Sequence, residues 1–284
     1  MARKPVISIV GAGNLANALA PALVAAGYRI DRILSRERSA SRKRAQALAR
    51  RVGGKAAALS APVSAGVLWL CVSDDAIRPC ARELSRAGTW RGRVVLHSSG
   101  ALSSDELAPL RRCGASVASL HPLMTFVPGV RVRMAEVPFA VEGDPAAVRM
   151  ARRIVRDLKT RVFTIPKRNK PLYHAFGSFS SPMVIATLAM AERVAGAAGV
   201  PARMRREVML PIVRKTFSNY LQASANRAFS GPIARGDVNT IRRHLKALRK
   251  VSGAREIYVA LAESALQTLP VRNRSAVARV LKSR

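Results

Sequence analysis

Over the first 166 positions, apolar residues follow two alternating rhythms. Short runs rich in Val, Ile and Leu ("PVISIV", "YRIDRILS", "AGVLWLCVS", "RVVLHSS", "ASVASL", "VPFAVEG" and "RVFTIP") read as strands. Between them lie segments whose apolar positions recur every three or four residues, as on a helix face: Asn14 to Ala26, "SASRKRAQALARRV", Ile77 to Ala87, a stretch from about Ser103, and Ala146 to Leu158. "AGVLWLCVS" is apolar without alternation, which suits a central strand buried on both faces. The β-α-β-α succession predicts an α/β fold with a doubly wound parallel sheet, that is, a Rossmann domain.

The rhythm changes after Pro166. "KRNKP" reads as a turn, and the remainder is helical. One long segment starts at Pro171 with Pro182 inside it, and another starts at Pro201 with Pro211 inside it. "GPIARGD" then punctuates before a helix at about Val238, for which Asp237 is a natural N-cap. Two more helices lie near Ala254 to Leu269 and Asn273 to Lys282. The chain is therefore expected to divide into an α/β domain over 1–166 and an all-α domain over 167–284.

Composition narrows the setting more than the chemistry. Apolar residues make up 49% and charged ones 23%, a globular balance, and no uninterrupted apolar stretch approaches the ~20 residues of a membrane span. The basic "MARK" before an apolar run invites a secretion-signal reading, but Gly11, Gly13, Asn14 and Asn17 interrupt that run. Cys71, Cys80 and Cys113 form no CxxC pair, so a reducing, cytoplasmic setting is expected. The formal net charge of +33, from 49 Lys and Arg against 16 Asp and Glu, would attract any polyanion. Its basic residues fall where amphipathic helices show a solvated face, and aromatics are only 5%, so nucleic acid is expected to bind only non-specifically.

A dinucleotide site needs a strand, a tight turn, close backbone approach to a pyrophosphate, and a helix whose first amides face that charge. Gly11 and Gly13 meet the turn and approach conditions, Asn14 and Leu15 open the helix, and Ala16 is small enough to let helix lie on strand. At the end of the second strand, Ser35 and Arg36, with Arg38 behind them, suit the 2′-phosphate of NADP, whereas Glu37 is the acidic alternative that suits NAD. Val72, Ser73 and Asp74 close one strand and Ser98, Ser99 and Gly100 another, at the carboxyl edge where ligands sit in open α/β sheets. No GxSxG elbow surrounds either serine, so this loop reads as cofactor lining.

Histidine occurs four times, and its near-neutral pKa makes each a candidate acid or base. His97 reads equally as a satisfied core residue, and His121, before Pro122, as a packing residue or part of a substrate site. If Pro171 opens a helix, Lys170, His174, Ser178 and Ser181 share one face; alternatively Tyr173, His174 and Ser181 only satisfy polar groups at a Pro182 kink. Arg235 offers a bidentate clamp for a substrate carboxylate or phosphate. Asp237 offers a cap that also orients His244, unless His244 is simply half-buried beside Ile241 and Leu245. Without HExxH or Cys/His ligand spacing, no metal is expected.

"GAGNLANAL", "VSDDAI", "HSSGAL", "SLHPLMTF", "FAVEGD", "LYHAF" and "GPIARGD", followed by His244, occur in the order seen in Rossmann-like proteins that carry domain of unknown function 2520, a family this chain resembles from about Val6 to Leu248. The family is similar in architecture to pyrroline-5-carboxylate reductase and to the 3-hydroxyacid and 6-phosphogluconate dehydrogenases. The resemblance implies an NADP-dependent oxidoreductase acting on a small molecule, with a helical domain that often dimerises, hence a homodimer. It implies His174 or Lys170 as proton donor facing the nicotinamide. Ser181 stands where the family more often has Asn. Two other classes remain open: a non-catalytic NADP-binding or sensing protein on the same scaffold, and a basic polyanion-binding protein.

Overall fold

In the computed structural model, residues 3–36, 39–86 and 88–283 are described. Two compact units are present, Met1–Ser181 and Pro182–Arg284. The change of pattern at Pro166 thus precedes the division between units, and the first helix beyond it packs with the α/β unit.

The first unit runs Ile7–Val10 (β1), Asn14–Ala25 (α1), Ile30–Ser35 (β2), Ser39–Val52 (α2), Lys55–Ala58 (β3), Val67–Leu70 (β4), Asp74–Ser85 (α3), Val94–His97 (β5), Ala108–Arg112 (α4), Ser116–Pro122 (β6), Phe139–Gly143 (β7), Pro145–Asp157 (α5), Val162–Thr164 (β8) and Lys170–Ser180 (α6). The strands form one sheet in the order β3-β2-β1-β4-β5-β6-β7-β8. The order reverses between β1 and β4, which puts a ligand crevice at their carboxyl ends.

Side-chain alternation along the strands builds two cores. Ile7, Ile9, Trp69, Leu96 and Leu120 face α1, α2 and α5 through Leu19, Leu23, Leu48, Ile154 and Val155. Val10, Leu68, Leu70, Val95 and Val117 face α3 and α4 through Ile77, Ala81, Leu84 and Leu110. The arrangement is the expected doubly wound α/β one, with two differences. β3, "KAAA", is an edge strand with no β-branched residue, formed only because β2 offers it a parallel partner. The sheet is also not wholly parallel, since β7 runs antiparallel to β6, with Pro122 opposite Phe139. Between them the chain turns back at the same end of the sheet, its longest regular piece being the 3-10 turn Met134–Glu136, and Leu123 N–H donates to the Pro138 carbonyl (2.8 Å). A parallel pair would have required a crossover, which is supplied only afterwards, by α5 between β7 and β8.

The helix expected near Ile77 to Ala87 spans Asp74–Ser85, while Ala87 lies outside the described residues. The long segment from Pro171 is interrupted at Ser181, whose φ of −137° and ψ of −80° are not helical. Pro182 has no N–H to donate and disfavours the helical region for the residue before it. A break thus replaces the expected kink.

The second unit is helical: Pro182–Ala197 (α7), Ala202–Gln222 (α8), Ala225–Ala228 (α9), Pro232–Arg235 (α10), Val238–Leu248 (α11), Ala254–Thr268 (α12) and Arg274–Lys282 (α13). Its core joins α11, α12 and α13 through Ile241, Leu245, Ala262, Val277 and Leu281. α7 and α8 pack on each other but bury no residue. No described helix is long and apolar enough to cross a membrane.

Candidate active site

The glycine loop sits where β1 meets α1 and is forced into shape by its neighbour. Gly11 has φ of +99°, and a Cβ there would lie 2.5 Å from the Cys71 carbonyl oxygen, so no other residue fits without moving β4. Gly13 is the opposite case. It precedes α1 in an extended conformation, a Cβ on it would meet nothing within 4 Å, and no side chain caps the helix. The first-turn amides of Asn14, Leu15 and Ala16 are therefore open to an anion, aided by the positive end of the helix dipole. Ala16 is fully buried and lets α1 lie close on the sheet. The side chain of Asn14 is engaged elsewhere, donating to the Phe126 carbonyl (3.0 Å), so its contribution here is its backbone amide.

Beside this loop lies a cavity of about 190 Å³ lined by Gly11, Gly13, Ser35, Arg36, Ser41, Arg44, Val72 and Ser73, among others. Ser35 and Arg36 are where the sequence expects them. Ser41 and Arg44, one turn apart on α2, were not singled out in the sequence, because Arg44 is one of several basic residues on that helix. Two arginines and three serines thus line one small space, a donor set suited to a phosphate. Glu37 and Arg38 lie outside the described residues. Asp74 opens α3, with Ser73 at its N-cap.

A second cluster gathers at the carboxyl ends of β5 and β6 and the start of α6. Lys170 is only 1% exposed; its ammonium donates to the Ser99 carbonyl (2.7 Å) and to Ser119 Oγ, which itself donates to that carbonyl (3.1 Å). Burial brings the Lys170 ammonium down to about 8, opposed by the charges of Glu142 and Asp74. The two carboxylate oxygens of Glu142 accept from Ser104 N–H (2.7 Å) and Ser104 Oγ (2.9 Å).

His97 is a core residue. Ser99 N–H donates to its Nδ1 (3.1 Å), so the ring proton sits on Nε2 and goes to the Ser103 carbonyl (3.0 Å). Burial, and then the charge of Lys170, push it down to about 3, so it is neutral and holds the loop. Ser99 Oγ accepts from the amides of Ala101 (3.2 Å) and Leu102 (2.9 Å), and Ser98 Oγ accepts from Trp69 Nε1 (2.8 Å). The Ser98–Gly100 loop is thereby fixed from within.

His121 Nδ1 is hydrogen bonded to the Tyr173 hydroxyl (2.8 Å), a pairing across 52 positions that the sequence did not reveal. Burial, Lys170 and His174, in that order, bring His121 down to about 4. Its ring meets His174 edge-on, with centroids 6.2 Å apart, and Gly100 lies between the two. A Cβ on Gly100 would be 2.6 Å from His174 Cδ2 and 2.8 Å from His121 Nε2. His174 is exposed at the rim of this group.

The expected common face of Lys170, His174, Ser178 and Ser181 is therefore divided. Lys170 is turned into the sheet end, and His174 alone is open. Ser178 Oγ donates to the His174 carbonyl of its own helix (3.2 Å), and Ser181 is the non-helical residue that ends α6. In the second unit Asp237 caps α11, accepting from Thr240 N–H (3.1 Å), as expected. It does not orient His244, whose Nδ1 is instead hydrogen bonded to the Tyr258 hydroxyl (3.2 Å). Arg235, the last residue of α10, lines a cleft of its own unit.

Residues 2–122 match the family model described as a Rossmann-like domain, and residues 137–265 match the domain of unknown function DUF2520. No curated protein matches the chain. Among solved structures, a Bacteroides fragilis protein provisionally named an NADP oxidoreductase is 23% identical, with a TM-score of 0.74 over 92% of this chain and 97% of its own. An imine reductase from Myxococcus stipitatus in complex with NADP+ is 16% identical, with a TM-score of 0.67 over 98% of this chain and all of its own. A pyrroline-5-carboxylate reductase from Coxiella burnetii is 16% identical, with a TM-score of 0.58 over 99% of this chain and all of its own. At such identities the likeness is one of fold.

Proposed function

We propose that this chain, which carries a Rossmann-like domain followed by a DUF2520 domain, is an NADP-dependent oxidoreductase that reduces a small carbonyl or imine compound. The observation that carries the reading is the junction, in one unit, of an open helix N-terminus behind Gly11 and Gly13 with a pocket lined by Arg36 and Arg44. The residues fit the cofactor: the amides of Asn14, Leu15 and Ala16 would hold its pyrophosphate, and Ser35, Arg36, Ser41 and Arg44 its 2′-phosphate. When bound, NADPH supplies the reducing equivalent at its nicotinamide. The solved structures named as an imine reductase and a pyrroline-5-carboxylate reductase support an imine as one substrate class.

The chain's own residues would divide the remaining work. His174, open at the rim, is the proton donor. His121, held at Nδ1 by Tyr173, keeps its Nε2 edge toward Gly100 as a hydrogen-bonding group for the substrate. Lys170, tied to Ser99 and Ser119, is a positioning residue: it anchors the first turn of α6 on the Ser98–Gly100 loop, and its charge adds to the burial that keeps His97 and His121 neutral. The chain is also proposed to act as a homodimer through the unpartnered faces of α7 and α8.

Fluorescence titration tests the cofactor reading. NADPH is expected to bind at least ~10-fold more tightly than NADH, and Arg44→Gln to remove most of that difference, since a hydrogen bond to a charged group contributes roughly 1.5–3 kcal/mol. Equal affinity for both, or no saturation, would overturn it. Turnover of NADPH against keto acids and cyclic imines should fall by about 10²-fold in His174→Ala. Undiminished turnover would remove His174 from its role.

A further inference from the structure

The motif "GPIARGD" lies in the second unit, and its backbone is unusually constrained. Gly231 has φ of +100° and Gly236 has φ of +67°. A Cβ on Gly236 would run into the carbonyl of Arg272, because the segment 269–274 crosses directly over the end of α10. Arg272 N–H donates to the Ala234 carbonyl (3.0 Å), and Asp237 N–H to the Pro232 carbonyl (2.9 Å). Arg274 Nη2 donates to the Leu269 carbonyl (3.1 Å), which bridges the second segment. Two stretches far apart in sequence are thus locked together, and Asn273, at φ of +50°, lets the second one turn into α13.

Between them lies a cleft of about 580 Å³, within the range of small-molecule sites, walled by Phe229, Pro270 and Val271 and by three arginines, Arg235, Arg272 and Arg274. Among the described residues, none of the three is ion-paired. We propose that this cleft is an anion site of the helical unit that takes a phosphate monoester carried on a small apolar body. Three arginines lining one space match the two charges and three free oxygens of a phosphate monoester better than a single carboxylate. Phe229, Pro270 and Val271 supply the apolar wall. Asp237 is the nearby carboxylate: it accepts from Thr240 N–H at the N-terminus of α11, and the charge of Arg235 also acts on it.

The charge excess alone does not account for this arrangement. α11 presents Arg242, Arg243 and Lys246 to solvent, and Arg249 and Lys250 follow directly after it; none of them lines this cleft. That helix serves as the control. The proposal is independent of the oxidoreductase reading, because the cleft is built wholly from residues of the second unit.

The test uses the full chain with Arg36→Gln and Arg44→Gln, so that the first unit's pocket does not contribute, and phenyl phosphate as probe in isothermal titration at 0.15 M salt. Saturable one-to-one binding is expected, weakened at least 10-fold by either Arg235→Gln or Arg272→Gln and within 2-fold of unchanged in Arg242→Gln/Arg243→Gln. Benzoate is expected to bind more weakly than phenyl phosphate. Neither Arg235 nor Arg272 has a side-chain hydrogen bond or ion pair among the described residues, so both variants should fold, which thermal unfolding by circular dichroism would verify. Binding that does not saturate, or that falls equally in the α11 control, would show a diffuse charge effect and overturn the proposal. Benzoate binding as tightly as phenyl phosphate would overturn the assignment of a phosphate.

Discussion

At the scale of single residues, Lys170 sets the character of the first unit's polar cluster. A buried ammonium is costly unless it is hydrogen bonded; Ser99 and Ser119 accept from it, while burial brings it down to about 8. The sign of the pH effect follows. Between about 8 and 10.5 the unfolded chain holds the Lys170 proton while the folded chain has lost it, so this group makes stability rise with pH, by roughly 3 kcal/mol across the window. Tyr173 works in the opposite direction: burial pushes its hydroxyl up to about 12, so it destabilises the fold once the unfolded tyrosine ionises near pH 10. The difference between wild type and Lys170→Met isolates the first effect. Urea midpoints measured from pH 7 to 10.5 should show a rising contribution in wild type that Lys170→Met lacks. Parallel profiles would mean that the ammonium is not buried.

At the scale of elements, the two loop glycines make separable predictions. Gly11→Ala introduces both a disfavoured φ and a collision with the Cys71 carbonyl, and is expected to cost about 1–3 kcal/mol in stability as well as NADPH binding. Gly13→Ala adds a methyl group to open space, so stability should stay within ~0.5 kcal/mol while NADPH affinity falls, because the methyl group occupies the approach to the first amides of α1. Denaturation and cofactor titration on the pair distinguish a structural turn from a cradle: unchanged NADPH affinity in Gly13→Ala would refute the cradle. α6 illustrates a different point. Helical spacing predicts which residues share a face, but not that the sheet end would draw Lys170 and Tyr173 inward and leave His174 at the rim.

At the scale of the whole molecule, α7 and α8 make a helical pair with no buried residue and with Ile185, Ile212, Phe217, Tyr220 and Leu221 exposed. A 21-residue helix is about 31 Å long, so one face of each helix offers area on the order of that a stable homodimer buries per partner. Light scattering should report a dimer for the wild type and a monomer for Ile212→Asp/Leu221→Asp, whereas a wild-type monomer would leave that apolar face unexplained by self-association. Features that depend on short-range pattern are legible in the unfolded chain. The alternation of strands and helices in the first unit, the turn at Gly11, the cap at Asp237 and the polar strand ends could be read from spacing and residue type, because each is decided locally. Tertiary structure alone decided the rest. The edge strand Lys55–Ala58 exists only because β2 pairs with it, and the reversal of β7 depends on where the chain after Pro122 returns. Arg44 is singled out from its basic neighbours only by the pocket it lines, and the link of Tyr173 to His121, like that of Arg272 to Gly236, joins positions that no local pattern connects. The physical reason is the same in each case: local propensity fixes what a segment can be, whereas burial, pairing and charge depend on what folds against it.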